Sequence, residues 1–186
     1  MGKIIRILFL ITMFSLLAAP ARADLIAGSS AAVSFREPNA VSSLSIQQIA
    51  LKRKVITEVL KRNNSPMIGS VDAFIQTCMT QRLDCYLLPS MSGVESTFGQ
   101  FIMPGTNNAF GWGRGLIKFD SFGEGIETVG RGLRENYINK GAVSIDQIGS
   151  IYCEGNTWST SVKHFMKLFA EEEKKQLFFV QDTVQL

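Results

Sequence analysis

A mainly α-helical domain is what this sequence predicts, and three observations carry that expectation. Apolar residues recur at helical spacing along successive segments. Ser121 with Glu124, and Ser144 with Gln147, have the Ser-x-x-Glu/Gln spacing of a capping box, which marks a helix start. Period-two alternation is scarce, leaving room for at most a small irregular β-hairpin. The expected layout is six helices, one of them an N-terminal addition to the main domain.

The chain has 186 residues. Lys3 and Arg6 precede an apolar run from Ile7 to Leu17, and Ala21-Arg22-Ala23 follows. This is the order of a secretory signal, with residues 1–23 removed and the mature chain starting near Asp24. The run is short for a bilayer crossing. An uncleaved anchor is the competing reading. Signal removal implies a secreted or periplasmic protein with no membrane span left. The signal holds Lys3, Arg6 and Arg22 among 19 basic residues and no acids, so 16 basic residues face 16 acidic ones in the remainder. The formal charge of +3 therefore belongs to the signal. No basic face or basic-aromatic stripe points to a nucleic-acid partner. The remaining roughly 160 residues suit one domain, expected as a monomer.

Cys78, Cys85 and Cys153 reach an oxidising compartment on this reading and allow one bridge with one thiol left over. Cys78–Cys85, across a helix-turn-helix junction, is the first choice and Cys85–Cys153 the second. The spacing fits no zinc pattern and His164 is the only histidine, so neither a metal nor another cofactor is expected.

Residues 24–43 are small and polar, a linker. Leu44, Ile46, Ile49, Leu51, Val55, Ile56, Val59 and Leu60 make 44–63 a helix. The bases among them, Lys52, Arg53, Lys54, Lys61 and Arg62, are expected to form its solvated face, with contact to an anionic surface as the competing reading. Asn63 to Pro66 break the chain, and the main domain spans 65–176. Val71, Phe74, Ile75 and Cys78 predict a helix over 69–81. Asp84 caps the next helix, Pro89 falls in its first turn, and Gly99 stops it. Residues 100–119 carry turn chemistry and glycines at 111, 113 and 115, an irregular loop. Phe122, Ile126, Val129, Leu133 and Tyr137 follow in phase from the first capping box, and the second opens a short helix. Trp158, Val162, Phe165, Met166 and Phe169 predict an inward face on a last helix over 158–176. Residues 177–186 form a tail without an assignment.

Glu95 interrupts an apolar stripe of Leu88, Met91 and Phe98. A carboxylate there is either a paired structural acid or a proton donor whose pKa is raised by its surroundings. A pairing with Arg114, Arg131 or Arg134 would favour the first. Serine or cysteine triads have no free histidine, and no phosphate loop is present. Carboxylate chemistry remains, and glycosidic bonds need such an acid to protonate the leaving oxygen. Gln100, Asn107, Asn108, Phe110 and Trp112 supply the amide and aromatic types that bind aminosugars. Phe110 and Trp112 as plain core residues is the competing reading.

Leu87 to Gly99, centred on Gly93-Val94-Glu95-Ser96-Thr97-Phe98-Gly99, resembles the catalytic helix of lysozyme-like peptidoglycan-cleaving enzymes. Asn108-Ala109-Phe110-Gly111 resembles the Asn-x-Phe-Gly loop of the bacterial endo-β-N-acetylglucosaminidase branch (the mannosyl-glycoprotein endo-β-N-acetylglucosaminidase-like type). Phe119 to Phe122, then Ile148 to Tyr152 with Trp158 and Val162, resemble its later elements. The likeness covers roughly residues 70–170. It implies a lysozyme-like α-fold, peptidoglycan or a related aminosugar polymer as partner, and Glu95 as general acid. It implies that Tyr152 stands in the groove, where a buried structural tyrosine is the alternative, and that Ser96 hydrogen-bonds Glu95 or the loop. Cys153 departs from the small residue usual in that branch. The Gly-Leu-Met-Gln stretch of lytic transglycosylases is missing, which favours the glucosaminidase branch over that alternative. A non-catalytic glycan binder on the same fold is the other rival. Asp120, Glu124 and Glu127 are candidates for a second carboxylate. A separation from Glu95 of about 5–5.5 Å would mean retention of configuration, and about 6.5–9.5 Å inversion.

Overall fold

The computed structural model describes residues 45–152 and 157–184, with side chains through residue 179. The signal, the linker and Cys153 lie outside the described residues. The fold is mainly α: α1 (Ile46–Arg62), α2 (Val71–Thr80), α3 (Leu87–Ser96), α4 (Phe122–Asn136), α5 (Ile145–Tyr152) and α6 (Thr157–Val184). Short 3-10 segments cover Pro66–Ser70 and Ile138–Lys140, and the described residues hold no strand, so no hairpin forms.

Each helix starts for a local reason. Ser45 and Gln48 close a capping box on α1 that the sequence reading did not single out. Ser144 and Gln147 close the expected box on α5, where Gln147 Oε1 accepts the Ser144 N–H at 3.0 Å. The α4 box closes only halfway. Ser121 Oγ accepts the Glu124 N–H, but the Glu124 carboxylate takes the N–H of Asp120 instead of that of Ser121. Asp84 does not cap α3 directly. It folds the preceding turn, accepting the Tyr86 N–H at 2.8 Å.

The core runs between α1, α3, α4 and α6. Val55, Ile56, Val59 and Leu60 of α1, Leu87, Leu88 and Met91 of α3, and Val162, Met166 and Phe169 of α6 are all buried in it. The basic face of α1 is less free than expected. Lys52 pairs with Glu173 at 2.9 Å, Arg62 with Glu172 at 2.6 Å, and Arg53 with Asp72. Two of these tie α1 to α6. The last helix also outruns its expected end, continuing through the stretch treated as a tail to Val184. Among the described residues no helix is long and apolar enough to cross a membrane.

Cys78 and Cys85 form the disulfide, with Cα atoms 4.9 Å apart, joining the end of α2 to the turn before α3. Closing so short a loop is worth about 2–3 kcal/mol through the unfolded chain. Replacing both cysteines with alanine is expected to lower the melting temperature by about 5–10 °C, read by thermal unfolding.

Helix α3 ends at Ser96, three residues before Gly99. Thr97, Phe98 and Gly99 all adopt left-handed φ, at 51°, 58° and 83°. Such angles disfavour Thr and Phe. Packing offsets the strain: the buried Phe98 ring meets Phe165 edge-on at 5.2 Å, and its N–H donates to Ser92 O at 2.9 Å. Ser65 Oγ donates to Phe98 O at 2.7 Å, fixing the turn from the other side. Glu95 thus belongs to the last turn of α3. Phe98 leaves the stripe that it was expected to share with Glu95.

Candidate active site

Five chain segments end around Glu95. The last turn of α3 supplies Val94 and Glu95, the following loop Phe110 to Arg114, the end of α4 Tyr137, the end of α5 Tyr152, and the start of α6 Trp158. They enclose an open cleft of about 500 Å³. A second depression of similar size, about 490 Å³ between α2 and α4, holds Asp72, Glu127 and Arg131 and none of these groups.

Glu95 is half-buried. Burial raises its pKa above the usual carboxylate range, and a hydrogen bond from Trp158 only partly opposes that rise. Trp158 Nε1 donates to Glu95 Oε1 at 2.7 Å. The indole is 5 % exposed, and a buried indole N–H needs an acceptor. Oε1 is thereby the accepting oxygen, and Oε2 is left to carry the proton. Oε2 faces Gly111, where an added Cβ would stand 3.4 Å from it. None of Arg114, Arg131 and Arg134 pairs with Glu95, and no other cation does so among the described residues. Arg134 instead donates to the carbonyl of Gln81.

The cleft wall is aromatic. Tyr152 stacks on Trp158 with ring centres 4.8 Å apart, and lies 6.1 Å from Trp112 and 6.2 Å from Tyr137. Tyr152 Oη donates to the backbone O of Phe110 at 2.7 Å, which ties the loop to α5. Burial raises the Tyr137 pKa, so its hydroxyl stays neutral. Trp112 packs against Gly132 of α4, where a Cβ would stand 2.7 Å from the indole. Glycine is required there for Trp112 to form the wall.

The expected site residues divide into two groups. Glu95, Tyr152, Trp112 and Phe110 converge on the cleft, though Phe110 contributes its backbone while its ring is buried. Ser96, Gln100 and Asn108 do not line it. Ser96 is 3 % exposed; its hydroxyl donates to Ala109 O at 2.8 Å, binding the loop and not Glu95. The Asn108 amide is consumed by the loop, donating to Trp112 O at 2.8 Å and Ile117 O at 3.0 Å and accepting the Trp112 N–H. Gln100 donates to Asn63 O and Thr97 O, pinning the chain after α3. These amides shape the loop and have no donor left for a sugar in the cleft. The same correction applies to the second carboxylate. Asp120 and Glu124 are exposed at the start of α4, and Glu127 lies in the other depression. Glu95 is the one carboxylate lining the cleft among the described residues, and Glu154 lies outside them.

Sequence reasoning did not assign Trp158 as the partner of Glu95, nor Tyr137 and Val94 as cleft residues. One signal was available for Trp158: a tryptophan on an inward face must satisfy its N–H, and Glu95 was an acid without a donor. Among the described residues no three His, Cys, Asp or Glu side chains gather to hold a metal.

Gly111 has φ +60° beside the carboxyl oxygen. Gly111→Ala is expected to destabilise by about 1 kcal/mol through the left-handed φ. Its methyl would also stand in van der Waals contact with Oε2, on the side from which a leaving oxygen must approach, so any turnover should fall further, by about ten- to a hundredfold. Thermal unfolding and a cleavage assay on the same sample separate the two effects.

No protein-family model matches the chain, and no curated protein matches it significantly.

Proposed function

We propose that this protein is a glycosidase that cuts β-1,4 aminosugar linkages in peptidoglycan, in a secreted or periplasmic setting. The observation that carries the reading is Glu95: a half-buried acid with raised pKa and no cation partner among the described residues, held by an indole N–H in an aromatic cleft. A structural acid of this kind would be matched by a cation or by several donors. Among the described residues Glu95 has one donor, Trp158, and it lines the cleft. Aromatic faces bind sugar rings through their C–H surfaces, and Trp112, Tyr137 and Tyr152 provide them.

Glu95 Oε2 delivers its proton to the glycosidic oxygen as the bond from that oxygen to the anomeric carbon breaks. Charge builds on the ring as an oxocarbenium-like state. The carboxylate left behind keeps the Trp158 N–H and then takes a proton from the attacking nucleophile. That nucleophile is water in hydrolysis or an internal hydroxyl in transglycosylation. A single acid in the described cleft favours a route that needs one protein carboxylate, with the 2-acetamido group, a water or an internal hydroxyl doing the rest.

Digestion of purified peptidoglycan, with mass spectrometry of the soluble fragments, tests the reading. New reducing ends mean hydrolysis, and anhydro ends mean attack by an internal hydroxyl. No fragments at any pH at which the protein stays folded would reject catalysis and leave a glycan binder.

A further inference from the structure

Arg114 is the one cation among the described residues lining the Glu95 cleft. It is exposed, and no carboxylate pairs with it among those residues. Its charge does not set the ionisation of Glu95, which answers to burial and to Trp158. On the described cleft wall Arg114 is the one cationic group, beside the single carboxyl of Glu95.

The backbone gives a second, independent reason to single it out. Gly113, Arg114 and Gly115 have φ of 61°, 61° and 78°. Glycine adopts these angles freely, whereas an arginine meets the clash between Cβ and the carbonyl oxygen. A glycine or asparagine at 114 would complete the same turn with less strain. Strain kept at a cleft wall points to a use for the side chain itself. The guanidinium is a fixed positive fork that matches a carboxylate. A neutral aminosugar polymer offers it hydroxyl and acetamido acceptors but no charge to pair with.

We propose that Arg114 is a specificity residue that selects aminosugar strands bearing free carboxylates over neutral ones, by pairing with a carboxylate appended to the bound strand. This rests on the glycan reading of the cleft and narrows its substrate class. In peptidoglycan the carboxylate has two sources: the stem peptide, or the lactyl group bared when the stem is removed.

The test reads binding in a Glu95→Gln background, so it is independent of cleavage. Co-sedimentation is measured with three preparations of purified sacculi: intact, stripped of stem peptides by an amidase, and capped as neutral amides by carbodiimide coupling to ammonia. The Glu95→Gln protein is expected to half-saturate on carboxylate-bearing sacculi at about fivefold lower amounts than on capped ones. Tighter binding to intact than to stripped sacculi names the stem peptide, and the reverse names the lactyl group. Adding Arg114→Gln or Arg114→Gly should erase the preference, and Arg114→Lys should keep most of it. Arg114→Gly relieves the strained φ and should fold at least as well as its parent. The proposal is overturned if Arg114→Gln leaves the preference intact, or weakens all three preparations equally. Absence of fragments from the wild type would reject catalysis, while this comparison would still decide the role of Arg114.

Discussion

Glu95→Gln is expected to fold like the wild type and to lose glycan cleavage by about 10²- to 10⁴-fold, the usual contribution of a positioned general acid. Glutamine is isosteric, and its carbonyl oxygen can still accept the Trp158 N–H. What disappears is the transferable proton. The variant also carries a stability signature. Burial raises the pKa of Glu95 in the folded state above its ordinary unfolded value. Between those values the folded protein binds more protons, so wild-type stability falls as pH rises through the window. The contribution is complete below the ordinary carboxylate value and lost as pH passes the raised one. Glu95→Gln has no such loss. Melting curves of the two proteins should therefore diverge upward in pH, with the glutamine form the more stable. Parallel curves would mean that Glu95 titrates as an ordinary carboxylate.

Phe169→Ala is expected to give the largest stability change, about 3–5 kcal/mol, or roughly 10–15 °C in melting temperature. Phe169 is fully buried in the middle of α6. It stacks on Tyr86 with ring centres 5.3 Å apart and meets Phe98 edge-on at 6.3 Å. Tyr86 immediately precedes α3 and Phe98 closes it, so one side chain braces both ends of the helix that carries Glu95. Activity of the folded fraction should fall as well, because α3 loses its supports. Urea unfolding at constant m-value, with activity assayed well below the transition, separates the two losses.

Helices were legible in this sequence wherever an apolar period and a start signal coincided. The repeat through Phe122, Ile126, Val129 and Leu133 gave α4, and the Ser144–Gln147 box gave α5. The end of α3 was not legible, because Thr97 and Phe98 take left-handed angles that only the tertiary burial of Phe98 explains. The extension of α6 beyond 176 was missed for a different reason: Leu177, Phe178 and Phe179 are all exposed on it, so three successive large apolar residues show no inward helical period. In the site, Glu95 stood out as an acid out of phase with its stripe. Residue type marked Asn108 and Gln100 as sugar ligands, while backbone carbonyls take their donors: those of Trp112 and Ile117 in the loop for Asn108, and those of Asn63 and Thr97 at helix ends for Gln100. The partner of Glu95 was hidden because Trp158 is 63 residues away in sequence and satisfies a helical period on its own.

In the proposed mechanism the proton of Glu95 is the one delivered to the glycosidic oxygen. The most direct measurement compares the carbon-13 titration of the Glu95 carboxyl with the alkaline limb of the cleavage profile, in wild type and in Trp158→Phe. The Trp158 bond lowers the pKa, so its removal raises the midpoint further. The titration midpoint is expected above the ordinary carboxylate range, with the rate falling along it and both moving to higher pH together in Trp158→Phe. An alkaline limb that stays in place while the Glu95 titration moves would contradict the mechanism.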